Sequence, residues 1–355
     1  MDTLYRYILK PILFTIHPDT THEMFAVMGE WAGSFFLLRS FFGLLYNYRG
    51  KDISKTVDGI NYRTPILLSA GFDPGGKLVR IMPSFAFGGE EVGSITANPC
   101  KGNPRPHYWR LVRDRSFVVH KGLRNRGVGP LIARLKRTKR INDFVIGISI
   151  GRTNDTSASD VESGIADYLE SFKKLNEANV GDYYTINISC PNAYGGETFT
   201  DPALLAELLP KLKQIKCEKP VYIKMPINLP WEQFSELLEI ADKNNIQGVI
   251  IGNLNKNYDD LKYREDAPKE FSGGLSGTPC FALSNELIRK TREKYGKRFT
   301  IIGSGGIMSP EDAMEKFAAG ADLVQLITGM IYEGPVLMKK ICQRYAESLS
   351  GPTPK

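Results

Sequence analysis

From about residue 50 onward, short apolar runs alternate with amphipathic stretches, and this alternation limits the chain to few architectures. The runs are Ile66–Ala70, Glu91–Thr96, Phe144–Ile150, Tyr183–Ser189, Val221–Met225, Gly248–Gly252, Thr300–Gly303 and Leu323–Ile327. Most are nearly continuous in β-branched, aromatic or other apolar residues, the pattern of strands buried on both faces. Helical spacers between them make the connections of βαβ units, which require a parallel sheet. Eight such strands close around side chains alone, so the reading is an α/β fold, a (β/α)8 TIM barrel. A length of 355 residues accommodates one barrel and a small appendage. The expected division is an N-terminal helical extension over residues 1–48 and the barrel over 49–355.

The extension has its own character. Leu4, Tyr7, Ile8, Ile12 and Leu13 are spaced for one helical face, with Arg6 and Lys10 off it. Pro18 breaks the segment, and Asp19 or Thr20 is the expected cap of the next helix. The following stretch holds Phe25, Met28, Trp31, Phe35, Phe36, Leu37, Phe41 and Leu44. Glu30 and Arg39 interrupt it, so it falls short of the roughly 18–20 apolar residues of a span. No small-residue cleavage site marks a signal peptide. The expectation is helices lying in a membrane interface, hence a peripheral membrane protein.

Chemistry concentrates at predicted strand ends. Thr185–Asn192 runs from a strand into a polar loop, where Cys190 lies near Asn187, Asn192 and Gly195-Gly196. Most lone cysteines are inert core residues, but carboxamides and glycines are poor core fillers. Lys224 stands inside an apolar strand, a costly place for an ammonium unless it meets an anion or an electron-rich ring. Ala70-Gly71, Ser94, Ser149 and Asn253 mark other strand ends. Three glycine clusters follow late in the chain: 273–277, 303–306 and 327–329. Barrels commonly hold a phosphate after strands seven and eight, on backbone N–H groups. Neither a P-loop nor a first-strand GxGxxG is present.

The five cysteines are scattered without a CxxC pair, which fits a reducing compartment, and the four histidines form no HExxH, so no metal is expected. The net charge is +7, with a basic excess between Arg105 and Arg140. That excess reads as a solvated face, or as a surface for a membrane, an acidic substrate or RNA.

The chain resembles the dihydroorotate dehydrogenase family. The resemblance rests on 70-AGFD-73, 92-VGSIT-96, 102-GNPRP-106, 274-GLSG-277, 305-GGI-307, Cys190-Pro191-Asn192 and an N-terminal segment like that of the membrane-associated, quinone-using branch. It implies FMN on the barrel, with Ala70, Gly71, Ser94, Ser149, Asn187 and Lys224 against the flavin. Gly277, Gly306, Ile327 and Thr328 then cradle its phosphate. Asn187, Asn192 and Asn253 touch a dihydropyrimidine substrate, and Cys190 occupies the catalytic-base position. A membrane quinone is the implied acceptor, without nucleic acid as partner. The implied location is the cytoplasmic face of an inner membrane, or the mitochondrial inner membrane in a eukaryote.

The chain departs from the family pattern at several places. Cys replaces the Ser usual in the quinone branch. Pro74 replaces a substrate-contacting Lys, leaving Lys77 in the next turn as the nearby cation. Val119 and Leu254 replace substrate-side polar residues, while Gly252 and Ser149 replace flavin-side Thr and Asn. Two other readings stay open: a tRNA-dihydrouridine synthase-like flavoenzyme, and a divergent relative that acts on another dihydropyrimidine or only binds flavin.

Overall fold

The structure is a computed structural model that describes residues 2–190, 198–270 and 273–350. Its centre is a closed, all-parallel barrel of eight strands in sequential order. The strands are β1 Ile66–Leu68, β2 Gly89–Ile95, β3 Val145–Ile150, β4 Tyr183–Asn187, β5 Val221–Met225, β6 Gly248–Ile251, β7 Thr300–Ser304 and β8 Leu323–Leu326. All eight predicted strands are present. Several end earlier than expected, so Ala70, Thr96, Ser189, Gly252 and Ile327 lie in the loops that follow them. At β1 the chain leaves the ladder to turn at Gly71, whose φ is +106°, a region glycine enters without penalty.

The barrel interior is layered. Leu67, Val145, Tyr183, Tyr222, Ile250, Ile302 and Leu323 fill the N-terminal end together with Tyr62. Tyr62 comes from a hairpin, Lys55–Val57 and Ile60–Tyr62, that closes this end. Gly147 admits the Tyr183 ring, because a Cβ there would lie 2.0 Å from its Cζ. Above the rings comes a polar layer, and above that the mouth where the C-terminal strand ends converge. Helices Val161–Glu177, Pro202–Lys213, Trp231–Lys243 and Phe281–Tyr295 wrap the outside with apolar faces inward.

The N-terminal residues form a helical segment over 2–15 and helices α1 Pro18–Ser34 and α2 Phe36–Tyr46. The expected cap is corrected. Pro18 occupies the first turn of α1, where its missing N–H costs nothing, and His17 caps it by accepting from Asp19 N through Nδ1 at 3.3 Å. Asp19 instead turns inward and its Oδ2 accepts from His107 N at 3.0 Å. Among the described residues no helix is long and apolar enough to cross a membrane.

The basic stretch is not one solvated face. Arg105 and Arg124 pair with Glu23, and Arg134 pairs with Glu30. Arg110 donates to the carbonyls of Ile16 (2.5 Å), Phe14 (3.2 Å) and Leu13 (3.3 Å), and to Thr21 Oγ1 at 3.2 Å. Its guanidinium also lies 4.7 Å from the Phe14 ring centroid. A cation on the last carbonyls of a helix satisfies their lone pairs and complements its dipole. These arginines therefore fasten the N-terminal helices to the barrel. Arg110→Met removes the guanidinium donors from the carbonyls of Leu13, Phe14 and Ile16. It is expected to cost about 2 kcal/mol, the scale of hydrogen bonds to a charged group. Urea unfolding measures the cost, and hydrogen exchange over residues 2–15 rises.

Candidate active site

The site sits at the mouth, built on the polar layer. From β2, Glu91 projects into the barrel, and its Oε2 accepts from Gln325 Nε2 at 2.7 Å and Tyr183 OH at 3.3 Å. From β5 comes Lys224, buried, whose Nζ reaches Ser69 Oγ at 3.5 Å. Burial pushes the lysine down and the carboxyl up; each group's opposite charge pulls the other back toward ionisation. Cys190 adds a smaller interaction that favours charged Lys224. Glu91 Oε1 and Thr185 Oγ1 are buried without a hydrogen-bond partner among the described residues.

One layer up, Ser94 Oγ lies 2.7 Å from Ser149 Oγ and accepts from Asn187 Nδ2 at 2.8 Å. Tyr168 OH donates to Asn187 O at 2.7 Å from the helix layer behind. Asn253 donates to Ser189 O at 2.7 Å and Ser189 Oγ at 2.8 Å. The structure thus gathers Ser94, Ser149, Asn187 and Asn253 into one network around the end of β4. Cys190 follows that network, half-buried, in a small cavity shared with Leu123, Arg152, Tyr168, Asn187, Thr198 and Phe199. Asn192 lies outside the described residues.

The late glycine clusters also meet. A Cβ on Gly277 would lie 3.0 Å from Thr328 Cγ2, and one on Gly329 would lie 2.0 Å from Ile307 O. Thr328 Oγ1 donates to Ser276 Oγ at 2.9 Å. Gly306, at φ +77°, packs on the first residue of helix Phe281–Tyr295, with a Cβ 2.5 Å from Phe281 Cβ. Ile327 immediately precedes the short helix Thr328–Glu333. Backbone of all three clusters therefore borders one corner of the mouth.

One expectation changes. Lys77 does not reach the site; its Nζ lies 3.5 Å from Glu30 Oε2 on the outside. The cation beside the Ala70–Gly71 turn is Lys121, which donates to Gly71 O at 3.1 Å. Glu91 and Gln325 were missed by sequence reasoning. Their signal is the one that exposed Lys224, a polar side chain within a run of buried ones.

A family profile described as Dihydroorotate dehydrogenase matches residues 52–349. Curated relatives named dihydroorotate dehydrogenase (quinone) cover nearly the whole chain. The Christiangramia forsetii protein is 36% identical over 97% of this chain and 99% of its own length. That of Synechococcus sp. (strain JA-3-3Ab) is 34% identical over 97% of this chain and 92% of its own. The chain belongs to the dihydroorotate dehydrogenase family. A solved Eimeria tenella structure, described as DHODH in complex with ferulenol, shares the fold at TM-score 0.81 and 24% identity, covering 94% of this chain and 92% of that one. The fold and the family agree with the sequence reading.

Behind the glycine corner of this dehydrogenase barrel lies Lys316, fully buried, with Nζ 2.7 Å from both Ser284 Oγ and Asn285 Oδ1. Burial pushes its ammonium down to about 7. In the unfolded chain the same group titrates near 10.5. Between those values the unfolded state binds more protons, so the Lys316 contribution to stability rises with pH. Unfolding free energies of wild type and Lys316→Met should diverge in favour of wild type above pH 7, by up to about 1.4 kcal/mol per pH unit. Parallel curves would show that the amine titrates alike in both states.

Proposed function

We propose that this chain oxidises dihydroorotate to orotate at the barrel mouth and passes the electrons to a membrane quinone. The observation that carries this reading is the convergence of Cys190, the Asn187 network and buried Lys224 on one mouth lined by glycine backbone. Family membership makes FMN the expected cofactor. The fit is supported by Gly71, where a Cβ would meet nothing within 4 Å. Glu91 Oε1 and Thr185 Oγ1, buried without a hydrogen-bond partner among the described residues, support it as well, as does buried Lys224 with its long 3.5 Å contact to Ser69 Oγ. Ala70, Gly71, Ser94, Ser149, Asn187 and Lys224 would hold the ring, and Gly277, Gly306, Ile327 and Thr328 the phosphate. When bound, FMN supplies a two-electron acceptor for the hydride at C6 of the substrate.

The protein contributes the proton transfer and the pose. The C5 proton of dihydroorotate is acidified by the adjacent carbonyl, and Cys190 Sγ, as thiolate, accepts it. Asn187, Asn192 and Asn253 would orient the flat ring through their carboxamides. Ser94 Oγ accepts from the Asn187 carboxamide and limits its rotation, while Tyr168 holds the Asn187 backbone carbonyl. Lys224 would place positive charge beside the ring of the bound cofactor.

A second reading, a dihydropyrimidine without the carboxylate, is favoured by Pro74, Val119 and Leu254. They put apolar groups where the family pattern has hydrogen-bonding ones. An RNA substrate is disfavoured, because Arg105, Arg110, Arg124 and Arg134 are engaged by the N-terminal helices.

The acceptor side rests on the N-terminal helices. Tyr7, Trp31, Phe36 and Leu37 are exposed, the last two at 70% and 79%. Apolar exposure on this scale marks an interaction surface, and we infer peripheral attachment to a quinone-bearing inner membrane.

Purified protein should be yellow and bleach anaerobically with dihydroorotate; dihydrouracil alongside it tests the second reading. Cys190→Ala should slow bleaching by about 10²–10⁴-fold while the colour stays. Cys190→Ser should retain more activity, with its pH optimum moved upward because a hydroxyl is harder to ionise. Loss of colour in both variants would make the residue structural. Phe36→Glu/Leu37→Glu should leave bleaching unchanged and lower kcat/KM for quinone in vesicles by about tenfold or more, each buried apolar side chain being worth about 1.5–3 kcal/mol.

A further inference from the structure

We propose that Lys316 holds the flavin phosphate from behind the glycine corner, as a buried positive charge that acts through one layer of protein. It is a positioning residue for the cofactor and makes no contact with it. The inference rests on the assignment of Gly277, Gly306, Ile327 and Thr328 to an FMN phosphate.

The charge lacks a counterpart of its own. Lys316 lies on helix Pro310–Ala318 and is fully buried. Its Nζ donates to Ser284 Oγ and Asn285 Oδ1, each at 2.7 Å, and lies 5.1 Å from the centroid of the Phe281 ring. The Ser284 hydroxyl gives its proton to Phe281 O at 3.1 Å, so it meets the lysine with a lone pair. Two neutral acceptors and a ring face satisfy an ammonium's hydrogen bonds and leave its charge in place. No carboxylate among the described residues pairs with it. Asp312 and Glu315, on the same helix, act on it only at a distance. Asp312 Oδ2 accepts from Met308 N at 2.8 Å, and Glu315 is exposed. The Cys280 thiol, facing it from the preceding turn, is pushed up to about 12 by burial and stays neutral.

The glycine cluster 303–306 is shaped around this lysine. A Cβ on Gly303 would lie 2.7 Å from Lys316 Cγ and Cδ, so the missing side chain makes room for the stem. A Cβ on Gly305 would lie 3.5 Å from Ser284 Oγ, the group that accepts from Nζ. Gly306 packs on Phe281, whose ring Nζ faces. One hydroxyl and one ring therefore stand between the ammonium and the backbone of the corner. Phe281 also begins the helix Phe281–Tyr295, whose N-terminal dipole adds partial charge of the same sign. A buried ammonium without a counterion is costly. A phosphate dianion at the corner is the counter-charge this arrangement lacks.

The two charges are then linked. Without the phosphate, burial pushes the amine down to about 7. A dianion at the corner favours the ammonium, and by reciprocity the ammonium favours the dianion to the same degree. Retention of FMN should therefore fall as pH rises above that value. The ligand does not titrate over this range, since a phosphate ester loses its second proton at about 6.

The test is dialysis of the flavin-loaded full chain between about pH 6.5 and about pH 9.5, the window over which the amine changes charge. Released flavin is read by its fluorescence, alongside the same protein loaded with riboflavin, which has no phosphate. Wild type should release FMN more readily as pH rises and show no such trend with riboflavin. At the acid end Lys316→Met should hold FMN about tenfold or more weakly, the scale for opposite charges one layer of atoms apart near a protein surface. Its FMN profile should be flat and its riboflavin retention unchanged. Ser284→Ala/Asn285→Leu keeps the amine and removes its acceptors, so the FMN profile should move to lower pH. That variant keeps the proposal falsifiable if Lys316→Met folds poorly. Equal weakening of FMN and riboflavin in Lys316→Met would make the lysine a packing residue and overturn the proposal. A wild-type FMN profile that is flat with pH, or that neither variant alters, would overturn it too. Wild type that retains neither flavin removes the FMN reading beneath it, a failure distinct from the others.

Discussion

An ammonium and a carboxyl share the dry interior of this barrel, and the mouth above is organised over them. Lys224 and Glu91 stand on β5 and β2, three strands apart around the barrel, with their side chains turned into the same layer. Either charge alone would be costly in a cavity floored by Tyr183, Tyr222, Ile250 and Leu323. Together they keep a polar storey in a structure that could close apolar throughout. Gln325, Ser69 and Tyr183 extend it by hydrogen bonds. A flat polar heterocycle resting above such a storey would meet fixed dipoles instead of water, which is the condition for electrostatic preorganisation.

The second constraint is the attachment of the N-terminal helices. Their outward faces are apolar and cannot hold them to the barrel. The work falls to polar contacts along 105–134 and to ring contacts beneath. Phe14 meets Tyr332 edge-on with centroids 5.4 Å apart, and His22 Nε2 donates to Phe72 O at 2.7 Å. His22 is buried enough that its ring is pushed down to about 4, so it stays neutral in this role at physiological pH. The same contacts run from the helices to the Gly71–Phe72 turn beside the mouth. The exposed apolar surface of the N-terminal helices and the barrel mouth are thereby joined by a few side chains.

How much of this was legible depended on sequence distance. The eight strands and their order were, because periodicity is local. Lys224 was legible as a charge in an apolar run. Glu91 carried the same signal but stood at the edge of the predicted strand Glu91–Thr96. The real strand begins at Gly89, which puts Glu91 inside the barrel. The tie-points of the basic stretch were not legible, since Arg105 and Arg134 find Glu23 and Glu30 at separations of 82 and 104 residues. Lys77 was misjudged because closeness along the chain does not give direction: its turn aims outward to Glu30.

The departures from the family pattern become intelligible when each is placed among its neighbours. Val119 packs on the cluster of Phe117, Met308 and Tyr332 that Phe14 also touches. A carboxamide there would need a partner among rings. Leu254 covers Gly274, where a Cβ would lie 2.3 Å from Leu254 Cβ, and Gly274 is in turn the strand partner of Val119. The two apolar replacements therefore flank one short strand and alter the same wall. Gly252 sits at φ +130° with a Cβ only 2.2 Å from Ser304 O, so no side chain fits there in this backbone. Ser149 is engaged with Ser94, which passes the contact to Asn187. Removing both polar partners from a wall costs less than leaving one unmet, and linked replacement is what this wall shows. Under the proposed assignment, the side of the mouth at Asn187 and Cys190 keeps groups able to move a proton, while the wall at Val119 and Leu254 has exchanged hydrogen-bonding groups for apolar ones.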